Sequence, residues 1–117
     1  MDETSITLRV ELRADTLLGP GQAALLQGIR ETGSIAAAGR RMGMSYKRAW
    51  YLIDTLNGSF GEPVVTAAKG GRAGGGAQLT ACGEAVLDGY RRMEAAAAAA
   101  IEGEVAALRA LLKPDDA

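Results

Sequence analysis

Between Ser5 and Leu12, apolar and polar residues alternate: Ile6, Leu8, Val10 and Leu12 take one set of positions, Thr7, Arg9 and Glu11 the other. A period of two puts the apolar set on one face, so a half-buried strand is expected here. Leu18, Gly19 and Pro20 break the pattern. Pro20 suits the first turn of a helix, where its missing N–H would have no intrahelical partner anyway. From Pro20 to about Glu31 the spacing becomes helical, with Leu25, Leu26 and Ile29 inward and Thr32 and Gly33 as the stop.

The next stretch, SIAAAGRRMGMSYKRAW from Ser34 to Trp50, reads as two short helices joined by a tight turn. Ser34 can cap the first, because its hydroxyl can accept an otherwise unpaired backbone N–H. Ala36, Ala37, Ala38 and Gly39 are small enough for a second helix to approach closely. Gly43 can take the left-handed conformation that stops a helix and reverses the chain. Met44 then points inward and Ser45 can cap the following helix. That helix should run through Leu56, with Ala49, Leu52 or Ile53, and Leu56 inward, and stop near Asn57 and Gly58. Such a layout is a helix-turn-helix, whose second helix offers its N-terminal residues to base edges in the major groove.

Val64 to Thr66 and Ala77 to Thr80 look like paired strands around the glycine-rich tip KGGRAGGG, residues 69–76. A hairpin with cations at its tip, following a helix-turn-helix, describes a wing that can lie along the DNA backbone or enter the minor groove. A long helix should begin at the cap Thr80 and reach about Leu112, weakened locally by Gly83, Gly89 and Gly103. Val86, Tyr90, Met93, Ala97, Ile101, Val105, Leu108 and Leu112 recur along it at three- and four-residue intervals. A helix of that length, roughly 50 Å, is too long for so small a domain to cover. The same helix of a second subunit is the simplest partner for the stripe. The fold class expected is mostly α with small β: a winged helix-turn-helix over residues 1–80, then a dimerisation helix and tail over 81–117.

The chain has 117 residues, 48% of them hydrophobic and 23% charged, which describes one globular domain. No apolar run nears the length of a membrane span, and the N-terminus lacks the pattern of a signal peptide. Cys82 is the single cysteine, so no internal disulfide can form, which suits a reducing cytoplasm. A net charge of −1 looks wrong for a nucleic-acid binder, but the distribution matters more than the total. Between Ser34 and Leu79 lie six cations against Asp54 and Glu62, a balance of +4, and the rest of the chain carries −5.

Lys47 and Arg48 sit early in the second helix, where they can reach guanine O6 and N7 or a phosphate; Arg is the better base reader because its fork is bidentate. Tyr46 can touch a thymine methyl or hydrogen-bond a phosphate, and Ser45 can be both cap and phosphate ligand. Lys69 and Arg72 are candidates for wing contacts, since a glycine-rich hairpin has little structural need of them. Arg40 and Arg41 close the first helix, complementing its dipole and within range of phosphate. Trp50 is expected to pack in the core or against the wing, and Tyr51 could face DNA or its flank. Lys69 precedes the glycines and no Lys-Ser or Lys-Thr pair follows them, so a nucleotide-cradling loop is a poor fit. With no histidine, one cysteine and scattered carboxylates, there is no catalytic constellation or metal cluster to assign, and Cys82 reads as a small packing residue.

These residues resemble the N-terminal DNA-binding domain of the molybdate-dependent transcriptional regulator (ModE-type) family. The likeness rests on PGQAALLQGIRETGSIAAAGRRMGMSYKRAW, LNGSFGEPVV, and KGGRAGGGAQLT with the following CGEAVLDGYRR, and covers about residues 5–93. A looser likeness extends to the winged domains of LysR-type regulators. The resemblance implies a homodimer on a roughly two-fold operator of double-stranded DNA, linked to molybdate transport or molybdenum metabolism genes. It carries Ser45, Tyr46, Lys47 and Arg48 as recognition-helix contacts, and Lys69 and Arg72 as wing contacts. Family members bind molybdate in domains that follow the long helix, and this sequence stops at Ala117, so no cofactor is expected within it. Two other readings stay open: a winged-helix module that binds a protein partner, and a DNA-binding regulator that senses no effector.

Overall fold

The computed structural model describes residues 5–68 and 76–115. The N-terminal segment pairs later than its alternation implies. Strand β1 spans Val10–Arg13 and folds back on β2, Thr16–Leu18, as an antiparallel hairpin that the sequence did not announce. Val10 pairs with Leu18 and Glu11 with Leu17, then the register shifts so that Arg13 meets Thr16. The shift falls at Leu12, and an extra residue in one strand turns its side chain away from its set. Leu12 is therefore 47% exposed, although the period of two put it inside. Ile6, Leu8 and Val10 are half-buried as expected, and Leu18 supplies the buried contact instead.

Helix α1, Pro20–Thr32, starts with Pro20, and the Gln22 side chain accepts from the Gly19 N–H at 3.1 Å. It ends at Gly33. Helix α2, Ile35–Arg41, is capped by Ser34, whose hydroxyl oxygen accepts from Ala37 N–H at 3.0 Å. Gly43 reverses the chain with φ 69°, a conformation that costs most residues a Cβ clash. Helix α3, Tyr46–Ser59, is capped by Ser45, whose oxygen accepts from Arg48 N–H at 3.1 Å. Its buried side chains are Ala49, Ile53 and Leu56, with Leu52 half-buried and Met44 packed on the core beside them.

The helix ends at Ser59, one residue past Gly58 and so close to the stop expected near Asn57 and Gly58, and the Asn57 side chain has a task outside the helix. The Asn57 carbonyl oxygen accepts from the N–H groups of Val64 (2.7 Å) and Val65 (3.2 Å), and its amide donates to Val65 O at 3.3 Å. Strand β3, Val65–Ala68, is thus fastened to α3 and pairs antiparallel with β4, Gly76–Leu79. Ala77 N–H donates to Gly33 O at 2.9 Å, which pins the base of this hairpin to the α1–α2 turn.

Helix α4, Ala81–Arg109, ends about a turn before Leu112, and Thr80 caps it by accepting from Gly83 N–H at 3.0 Å. Its start belongs to the core: Leu87 and Tyr90 are fully buried beside Leu25, Leu26, Ile29 and Val64. Leu87 was not in the expected stripe, while Val86 is only half-buried. The Tyr90 hydroxyl donates to Leu8 O at 2.6 Å, and burial pushes its pKa up, with Glu94 adding to the shift. Arg30 of α1 bridges Glu84 and Asp88 of α4, its Asp88 contact at 2.8 Å. Past Met93 the helix leaves the domain, and Ile101, Leu108, Leu111 and Leu112 are exposed.

Candidate nucleic-acid interface

The cap at Ser45 fixes where α3 begins, and so which side chains occupy its free first turn. Tyr46, Lys47 and Arg48 are all exposed, Tyr46 by 56%. Among the described residues neither Lys47 nor Arg48 has a side-chain ion pair or hydrogen bond. An unpaired cation on a rigid helix has no protein contact to give up before meeting an anion. The Ser45 oxygen is occupied as an acceptor, but its O–H remains available to donate to a phosphate. All four positions therefore come together at one helix end.

Lys47, Tyr46, Trp50, Tyr51 and Asp54 line one shallow depression along the outer face of α3. Trp50 is 48% exposed and so does not join the core. Positions 49, 53 and 56 face inward, which turns position 50 sideways toward the wing. There it lines a groove of about 350 Å³ with Tyr46, Val65 and Ala77. Trp50 thus lies on the wing side of α3, across an open groove from it, and not in the core. Tyr51, 62% exposed, is on the outer face.

The two arginines of α2 differ. Arg41 is held by Glu31 at 2.5 Å, and this contact, with a further hydrogen bond from Gln27, keeps the Glu31 carboxyl below the usual carboxylate range. Arg40 is exposed and has no such partner among the described residues. Lys69 and Arg72 lie outside the described residues, so the geometry concerns only the base of the wing. Sequence reasoning missed Asn57 as the residue that sets the wing against α3. An Asn near a helix end reads as a stop signal, and only the fold shows its amide oxygen facing the N–H groups of Val64 and Val65.

Known proteins are similar to this chain in sequence and in fold. Over 86 residues the chain is 48% identical to the molybdenum-pterin-binding protein MopB of Rhodobacter capsulatus, covering 74% of this chain and 32% of MopB. It is 41% identical over 96 residues to the molybdenum transport protein ModE of Azotobacter vinelandii, covering 80% of this chain and 36% of ModE. The chain thus spans about a third of the length of these curated relatives. Its fold matches the protein of the CbnR_DBD–DNA complex with a TM-score of 0.59 at 25% identity, covering 75% of this chain and 95% of that one. Residues 21–84, more than half the chain and the whole path from α1 through the wing into α4, match the bacterial regulatory helix-turn-helix protein, lysR family, and the chain belongs to that family, with the ModE and Mop proteins as its relatives.

Proposed function

We propose that this chain is the DNA-reading part of a transcriptional regulator that binds duplex DNA sequence-specifically as a homodimer. The observation that carries the reading is the free first turn of α3: Tyr46, Lys47 and Arg48 stand exposed, with both cations unpaired among the described residues. In the major groove, Lys47 and Arg48 meet guanine edges or phosphate, Tyr46 a thymine methyl or phosphate, and Ser45 a phosphate. Arg40, Arg41, Lys69 and Arg72 add backbone contacts, with Arg41 exchanging Glu31 for phosphate.

In this reading residues 1–80 read DNA, and residues 81–117 carry the dimer contact and a short tail. The exposed apolar residues of distal α4 support that contact, since a second α4 would cover them. Two-fold pairing would present two recognition helices to half-sites about 34 Å apart, or a multiple of that spacing. No described helix is long and apolar enough to cross a membrane, and the place of action proposed is the cytoplasm. The reading involves no catalytic step and no cofactor bound to this chain. The names of the Mop and ModE relatives point the regulated genes toward molybdenum transport or metabolism.

Selection of bound fragments from the source genome tests the reading. Recovery of a two-fold sequence beside genes for molybdenum uptake or molybdenum enzymes is the expected result. The absence of any salt-sensitive shift on genomic fragments would favour a winged module that binds protein.

A further inference from the structure

Asp54 is the only acidic residue between Ser34 and Gly61, and it lies on the face of α3 proposed to enter the groove. It shares that face with Tyr46, Lys47, Trp50 and Tyr51, and borders the groove toward the wing as well. Its carboxylate is exposed and has no ion pair or hydrogen bond among the described residues. Within a helix a side chain reaches neighbours three and four residues away. For Asp54 these are Trp50, Tyr51, Asn57 and Gly58, none of them cationic. Lys47 is seven residues off, about 10 Å along the axis.

A free carboxylate on a surface that approaches a polyanion is repelled unless it meets a hydrogen-bond donor. Phosphates and sugar oxygens supply acceptors, as do guanine O6, guanine N7 and thymine O4. The donors in the major groove are the exocyclic amino groups, and a carboxylate pairs with the N4 amino group of cytosine. We infer that Asp54 is a specificity-determining residue that accepts a hydrogen bond from a cytosine N4 amino group in each half-site. This rests on the reading that α3 occupies the major groove. Along the helix, the cations and Tyr46 at its start then supply attractive base and phosphate contacts, and Asp54 two turns later excludes wrong bases.

Selection from a randomised duplex library, with sequencing of the bound pool, tests this on the intact chain and two variants. The wild type should enrich one cytosine per half-site, and replacing that base should weaken binding about tenfold or more. Asp54→Ala should lose the preference at that position alone while binding unrelated duplex as well as or better than wild type, because one repulsive charge has gone. Asp54→Asn should move the preference toward adenine, which an amide can read through N6 and N7. If all three select the same sequence, or if Asp54→Ala weakens every duplex equally, the assignment of Asp54 is overturned while the recognition helix stands. If the wild type selects no sequence at all, the major-groove reading itself fails and Asp54 with it.

Discussion

A Cβ built on Gly83 would lie 2.1 Å from the carbonyl oxygen of Val64. Judged by its own helix, Gly83 costs about 1 kcal/mol relative to Ala, and its replacement should stabilise α4. The packing gives the opposite sign. Backbone cannot move aside as a flexible side chain can, and forcing bulk into a close contact costs about 1–3 kcal/mol. Gly83→Ala is therefore expected to lower the unfolding free energy by at least 1 kcal/mol in a urea titration, and a gain would show that the approach of Val64 is not constrained. Asn57 is a second position whose role lies outside its helix. Asn57→Ala would strip the acceptor from Val64 and Val65 N–H, a loss of about 1–3 kcal/mol. Asn57→Asp keeps that acceptor but puts a second acceptor where the amide donates to Val65 O, so it should recover only part of the loss in the same titration; equal losses in both variants would contradict the acceptor role.

At the scale of elements, the parts legible in the sequence were those fixed by local chemistry. Ser34, Ser45 and Thr80 cap as read, because a hydroxyl three residues before a free N–H needs no distant partner. Gly43 turns the chain for the same kind of reason. The helix-turn-helix followed from these signals, and with it the exposed placement of Tyr46, Lys47 and Arg48. What was not legible depended on another element. The β1–β2 hairpin was missed because β2 has three residues, and the bulge that exposes Leu12 exists only in the pairing. Leu87 was passed over for Val86, because which side of α4 is buried is decided by where α1 lies against it. Trp50 is exposed because Ala49, Ile53 and Leu56 already fill the inner face of α3.

Distal α4 governs the shape of the whole molecule. The chain measures 55 × 34 × 20 Å, and α4 alone runs about 43 Å, so its second half extends beyond the domain core. Ile101 and Leu108 are 37% and 61% exposed, so charging them removes no contact within the chain's own core. Ile101→Asp with Leu108→Asp should leave the helical content unchanged and raise the dimer dissociation constant by more than about tenfold, equivalent to 1.4 kcal/mol. Sedimentation across a concentration series reads the shift, and a monomeric wild type would contradict the dimer. Loss of the dimer should also weaken operator binding without changing the bases each half-site selects.

We propose above that the free first turn of α3 reads duplex DNA. The most direct test of this proposal is titration of the selected operator with wild type, Lys47→Ala and Arg48→Ala, alongside an unrelated duplex, at several salt concentrations. Each substitution should cost about 1–3 kcal/mol of operator affinity where its contact is to a base, and lower the salt slope by about one where it is to a phosphate. Operator affinity and salt slope equal to wild type in both variants would contradict the account.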